Sequence, residues 1–320
     1  MENTMKKILI IIISFLYVSC DLGEIPIEPI PVEIDISIIP MGSDYMKQVF
    51  FSLDQNEVIS QNNRNDWDVA FESKLDTNLI YLNSSKFLQI WHINDQSFSD
   101  PVDITQADWE WDEPCLKNGT TAIGGLIDTD GYFVIDLGLN QNMESSGYIK
   151  FQIISSNNNG YTFRYSSLDN IDDTIVSISK NDILNKVHYS FLNNEKVNIE
   201  PESDNWDLLF STYTHIFDEV TPYLVSGVLI NSHKISVAYD TSNIFEEINI
   251  EDVQNYNFSN CDDVIGYDWK TYSFESNNFT INQTKIYIIK NSSEYFKLKF
   301  IDFYNELGEK GFPQFKIQKL

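Results

Sequence analysis

The chain has 320 residues, 21 of them basic and 48 acidic, for a formal net charge of −27; 22% of residues are charged and 42% hydrophobic. Such an excess of carboxylates repels polyanions, so nucleic-acid binding, which depends on neutralising phosphates, is excluded as a function class. Aromatic residues make up 14% of the chain, ample material for packed sheet faces or for holding a flat apolar ligand.

The first segment reads as an export signal. Lys6 and Lys7 precede Ile8 to Val18, apolar apart from Ser14, and the run closes on Ser19-Cys20. It is short for a membrane span, and its basic start and small-residue end suit signal-peptidase processing. A small residue before a cysteine, directly after an apolar stretch, is the lipobox arrangement. Residues 1–19 are then the leader and Cys20 is acylated as the first mature residue, although Tyr17 stands where leucine is usual. The alternative is ordinary cleavage with an incidental Cys20. Acyl chains contribute roughly 0.8 kcal/mol per buried methylene, so a multiply acylated cysteine holds a water-soluble domain at a membrane. Loss of the leader leaves 19 basic against 47 acidic residues, a net of −28.

Residues 20–44 form a tether. Pro26, Pro29, Pro31 and Pro40 impose extended backbone and deny helix, so the segment spans distance at about 3 Å per residue. Within it, Val32 to Ile39 alternates apolar and polar residues and reads equally as a first strand.

After Tyr45 the chain shows period-two alternation in short runs broken by Asn, Asp, Ser and Gly, with no sustained 3.6 period, which predicts an all-β fold of mostly antiparallel sheets. A pattern recurs: Trp67-Asp68-Val69-Ala70-Phe71 and Trp206-Asp207-Leu208-Leu209-Phe210. Upstream of the first stand Phe51-Ser52-Leu53 and Glu57-Val58; upstream of the second, at almost the same distance, Tyr189-Ser190-Phe191 and Lys196-Val197. Downstream, Ile123-Gly124 matches Ile265-Gly266, and Tyr132-Phe133-Val134-Ile135 matches Tyr287-Ile288-Ile289. Matching flanks indicate a duplicated lobe, 45–180 and 181–320, with the join where the strand Val176 to Ser179 runs into Lys180-Asn181-Asp182. Inside each motif Trp67, Val69 and Phe71, or Trp206, Leu208 and Phe210, point one way and form a large apolar face. Asn157 to Gly160, Asp130-Gly131 and Asn193-Asn194 are expected hairpin turns. Cys115 and Cys261 precede the equivalent Ile-Gly pairs and either bond to each other or stay free.

From His188 to Leu320 the chain resembles the HmuY family, haem-carrying lipoproteins of bacterial outer membranes. The residues that carry the likeness are Tyr189-Ser190-Phe191, Asn205 to Phe210, Tyr295 to Phe300, and Gly308-Glu309-Lys310-Gly311-Phe312-Pro313. The N-terminal lobe looks like a degenerated copy, with Gly125-Leu126 where the second lobe has Tyr267-Asp268-Trp269. The resemblance implies two tandem HmuY-like lobes, a lipid anchor in the outer membrane at the cell surface, and delivery of haem to a transport system through an outer-membrane receptor. In the founding type two histidines grip the iron, and some relatives use methionines. This sequence departs there: Ser273 to Asn278, the place expected for the second histidine, holds neither, and no methionine follows Met143.

The histidines are His92, His188, His215 and His233. His215 follows the second motif strand and His233 the next one, so pairing across a hairpin would make them the haem or metal ligands. The plainer reading makes His215 a hairpin residue bonded to a carboxylate and His233 a solvated loop residue. His188 beside Tyr189 and His92 beside Trp91 read as packed side chains. Asp68 and Asp207 lie inside strands and are expected to be structural acceptors for backbone or indole N–H groups rather than an acid/base pair. Asp128-Thr129-Asp130-Gly131 lacks the glycine position and glutamate of an EF-hand loop and reads as a turn. No nucleophile elbow, metalloprotease helix, phosphate loop or Cys-X-X-Cys is present, so an enzyme is not expected. The expectation is a non-catalytic surface lipoprotein that binds haem or a porphyrin in haem acquisition. The alternative is an accessory lipoprotein that holds a partner protein or a glycan without haem.

Overall fold

The computed structural model describes residues 36–75, 77–115, 121–124, 131–218 and 220–320. The expected leader, Cys20 and the proline-rich part of the tether lie outside the described residues, as do Asp128 to Asp130. The fold is all-β, and every strand pair is antiparallel among the described residues.

Two five-stranded sheets form the outer walls. One runs in the spatial order Thr174–Ser179, Gly160–Ser167, Tyr148–Asn157, Tyr132–Asp136, Gln89–Ile93. The other runs Ile36–Ile38, Lys310–Lys319, Glu294–Tyr304, Ile286–Asn291, Ile235–Asp240. The candidate first strand thus closes the second wall, with Ile36 opposite Lys316. The expected turn at Asn157 to Gly160 joins two strands of the first wall, and Gly160 has φ +152°. A Cβ there would sit 2.0 Å from the Ile178 carbonyl oxygen, so only glycine lets the edge strand close on this turn.

Two four-stranded sheets lie between the walls, and each mixes strands from both copies of the repeat. Lys47–Ser52, paired with Glu57–Asn63, adds to the second motif strand Leu208–Phe217, with Phe51 opposite Leu208. Lys186–Ser190, paired with Glu195–Val197, adds to the first motif strand Val69–Glu72, with Val187 opposite Phe71. Each hairpin therefore crosses to the other copy's motif strand, and the ladders do not stop at the expected join near residue 180. Alternation in a sequence marks which face a residue takes but not which strand it pairs with.

The cores follow the ladders. One collects Val69, Phe71, Phe133, Phe151, Phe163 and Tyr189; the other Ile39, Phe51, Leu208, Phe210, Trp269 and Phe315. Between them Phe50, Trp67, Ala70, Ile199 and Trp206 pack as a third cluster. Here the duplication shows at the level of hydrogen bonds. Asp68 Oδ2 accepts from the Phe191 N–H at 2.7 Å, and Asp207 Oδ2 accepts from the Leu53 N–H at 2.7 Å. Lys86 pairs with Asp68 and Lys234 with Asp207. Asn83 Nδ2 donates to the carbonyls of Arg64 and Trp67, and Asn231 Nδ2 to those of Ser203 and Trp206. One match shifts: Tyr132 packs with Ile93 and Val134 on the outer side of its sheet, whereas Tyr287 lies in a main core as Phe133 does. The counterpart of Tyr287 is therefore Phe133, because a one-residue slip turns a side chain to the opposite face.

A buried lysine staples a loop to each wall. Lys150 Nζ donates to the carbonyls of Phe98 and Asp100 at 2.8 and 2.7 Å; Lys297 Nζ donates to those of Phe245 and Ile248 at 2.6 and 2.8 Å. Replacing Lys297 with Met leaves both carbonyls without their donor. Amide exchange around Phe245 to Ile248 is expected to accelerate at least about tenfold, as in locally opened segments, while the strands of the wall keep their protection.

Candidate functional site

At the seam between the mixed sheets the two copies differ in charge. On one side Gln48 is buried and neutral: its Nε2 donates to Ser85 Oγ and Ser211 Oγ at 3.3 and 3.1 Å, and its Oε1 accepts from Trp67 Nε1 at 2.8 Å. The hydrogen-bond correspondences above place Lys186, His233 and Glu72 at the positions equivalent to Gln48, Ser85 and Ser211. A satisfied amide-hydroxyl network on one side thus faces an ionisable set on the other. Lys186 lies opposite Glu72 in the ladder, His233 Nε2 is 3.6 Å from Glu72 Oε2, and Glu72 also accepts from the Tyr81 hydroxyl at 2.9 Å.

These groups border a cavity of about 110 Å3 whose wall includes Trp67, Tyr81, Lys186, Glu200, Trp206 and His233. Glu200 accepts from the Asn185 and Lys186 N–H groups and from Trp206 Nε1. Burial nevertheless pushes its carboxyl up to about 7, with Lys186 and these donors only partly opposing. Asp112, which accepts from the Leu82 and Ala122 N–H groups, is pushed up to about 6 by the same cause. Glu72 is held below the usual carboxylate range: burial works against this, and the His233 contact and the Lys74 N–H outweigh it.

A second concavity, about 640 Å3, opens beside the first motif. Its wall combines Leu137, Tyr148, Ile149, Tyr165, Phe191 and the 91% exposed Leu192 with the amides of Asn65, Asn140, Asn142 and Asn194. Tyr165 donates to Asn194 Oδ1 at 2.8 Å, and Met143, next to the wall residue Asn142, accepts from Arg64 Nη2 through its sulfur at 3.3 Å.

The histidines expected as ligands are not brought together. His215 lies opposite Tyr223, near the turn of the hairpin formed by Leu208–Phe217 and Thr221–Ile230, whereas His233 follows the far end of the same hairpin. Seven residue steps of about 3.4 Å each separate the level of His215 from that of Ile230. His215 Nδ1 is 3.7 Å from Asp263 Oδ2, and its ring meets Phe217 and Tyr267. His188 is buried against Trp67, edge to face at 4.6 Å; burial, then the charge of Lys186, pushes its imidazole down to about 3, so it is neutral. His92 packs on Phe133. Ser273 to Asn278 forms the tip of a short hairpin. Asp68 and Asp207 accept backbone N–H groups and hold buried lysines, while the two indole N–H groups go to Gln48 and Glu200. Cys115 and Cys261 are bonded to each other across 146 residues. Among the described residues no group of three His, Cys, Asp or Glu side chains is arranged to hold a metal ion.

The seam set escaped sequence reading because Glu72, Lys186 and His233 are far apart in the chain. The signal that finds them is the repeat itself, compared position by position for places where a neutral residue in one copy becomes ionisable in the other.

Residues 44–190 match the family model described as HmuY protein, so this part of the chain is HmuY-like. The match covers the first copy and the hairpin strand that completes it, whereas the sequence likeness was read from the second copy. The crystal structure of apo PinO from Porphyromonas gingivitis is similar at 9% identity, covering 91% of this chain and 98% of that one with a TM-score of 0.34. No curated protein matches the sequence.

Proposed function

We propose that this HmuY-like protein is a non-catalytic carrier, anchored to the outer membrane through Cys20, that takes haem or a related porphyrin into the 640 Å3 groove and passes it to a membrane receptor. The observation that carries the reading is the groove itself. Its volume falls within the roughly 300–1,000 Å3 usual for small-molecule sites, and the seam cavity, at 110 Å3, is too small for a macrocycle. Aromatic and aliphatic side chains supply a flat apolar wall, and asparagine amides at the rim suit the carboxylates such a ligand carries. Among the described residues no histidine lines the groove, so the grip is on the macrocycle, with the Tyr165 oxygen as the candidate contact to iron.

Titrating the mature protein with hemin tests this. The expected result is a saturable Soret shift at micromolar concentration, with metal-free porphyrin also quenching tryptophan fluorescence. Leu192→Asp and Tyr148→Ala are each expected to weaken binding about tenfold, a loss of roughly 1.4 kcal/mol, and a His215→Ala, His233→Ala double variant to bind as the parent does. Absence of any shift, with an outer-membrane protein or glycan retained by the pigment-free chain, sinks the porphyrin reading in favour of the accessory one.

A further inference from the structure

The seam cavity is a separate site from the groove. We infer that it binds a small zwitterion of amino-acid size, held between the Lys186 ammonium and the Asp262 carboxylate, with the Asn185 amide oxygen meeting the ligand's ammonium group. Four observations converge on it.

First, among the described residues neither of the two opposite charges is in a direct ion pair, although Lys186 also acts through space on Glu200, Asp112 and Glu72. Lys186 Nζ lies 3.9 Å over the Tyr81 ring, with no ion pair or hydrogen bond to another described residue. The Asp262 carboxylate likewise accepts no hydrogen bond, although the residue's main-chain oxygen takes the Ile230 N–H. Both line the cavity and both lie near Tyr81: the lysine sits over its ring, and burial, then Glu72 and to a lesser extent the Asp262 charge, raise its hydroxyl above the ordinary range. They are too far apart for a direct pair, so a body carrying both signs completes each.

Second, Asn185 is 3% exposed and lines the same space; its Nδ2 is spent on Asn231 Oδ1 at 3.0 Å, while its Oδ1 is buried without a donor. A buried acceptor left unpaired costs about 1–3 kcal/mol, so it marks a place where a donor is missing.

Third, the volume selects the size. The cavity of about 110 Å3 exceeds several-fold the roughly 10–15 Å3 that one water needs, yet falls well short of the space that drug-sized ligands fill.

Fourth, the duplication supplies an internal control. At the equivalent positions Gln48, Ser85 and Ser211 satisfy one another. The fold is therefore content with neutral residues there, and the charged set of Glu72, Lys186 and His233 is not a requirement of the packing. Among the other charges on the wall, Glu200 and Asp112 accept main-chain N–H groups, and His233 faces Glu72.

Differential scanning of the whole mature chain with glycine or L-alanine, against acetate alone and methylammonium alone at matched ionic strength, tests the site. The amino acids are expected to raise the midpoint by several degrees at a roughly hundredfold excess over their dissociation constant, and the two half-ligands are not. Lys186→Met and Asp262→Asn are each expected to abolish the shift. Should either variant fold poorly, quenching of the parent's tryptophan emission gives a second readout, because Trp67 and Trp206 line the cavity. No shift with any amino acid, or an equal shift with acetate or with methylammonium alone, overturns the proposal. Hemin binding in the groove is read by a different signal, so the two assignments fail independently.

Discussion

Replacing Asp68 with Ala is expected to lower the unfolding free energy by about 3–5 kcal/mol, the usual cost of leaving one member of a buried ion pair behind. The carboxylate accepts the Phe191 N–H at 2.7 Å and pairs with Lys86, both side chains being almost wholly buried at 5% and 7% exposure. Alanine strands the ammonium and loosens the hairpin strand Lys186–Ser190, which is laddered to this motif strand. Asp207→Ala has the same geometry, with the Leu53 N–H and Lys234 as its partners, but Lys234 keeps 15% exposure and water can reclaim part of its charge. The smaller loss is therefore expected at Asp207. Urea unfolding of both variants and of the double variant checks this. Equal stability of Asp68→Ala and the parent would remove the aspartate from its structural role.

The second large effect is on acid stability. His188 packs edge to face on Trp67, as Phe50 packs on Trp206 at 5.0 Å, so the repeat itself offers phenylalanine as a tolerated replacement. The folded imidazole is pushed from 6.5 down to about 3, chiefly by burial, while the unfolded chain binds its proton near 6.5. The unfolded state then holds more protons below that value. The contribution is fully present above pH 6.5 and is lost as pH falls toward 3. At pH 5 the single group accounts for a loss of about 2 kcal/mol. His188→Phe is expected to match the parent at pH 7.5 and to exceed it by that amount at pH 5. Identical pH profiles for the two proteins would show that His188 is charged in the folded state.

How much of this was legible in the residues depends on what kind of information each feature needs. Period-two alternation around Val69 and Phe71, or Leu208 and Phe210, is local, and it yielded the strands and the faces of these residues, whereas Trp67 and Trp206, expected on the same faces, precede the strands and pack in the middle cluster. Asp68 and Asp207, expected inside strands, stand one residue before them, and the expectation that they are acceptors holds because a buried carboxylate must be met by donors. The crossing of hairpins between the copies is not local: Phe51 pairs with Leu208 although Trp67 is far nearer in the chain, and nothing in either run encodes the partner. The same holds for His215 and His233, whose nearness in sequence suggested a shared ligand but which a ten-residue strand carries to opposite ends of one hairpin. The groove is built from Tyr148, Tyr165 and Leu192, three unremarkable residues until the ladders set them side by side.

Because Lys47–Ser52 completes a sheet with Leu208–Phe217, a strand made early in synthesis waits for one made more than 150 residues later. The order of synthesis thus matters: a ribosomal product cut at residue 180 would expose two unpaired strand edges, an invitation to sticking between molecules. A segment from about residue 64 to 200, by contrast, contains its own ladder partners and one complete apolar interior.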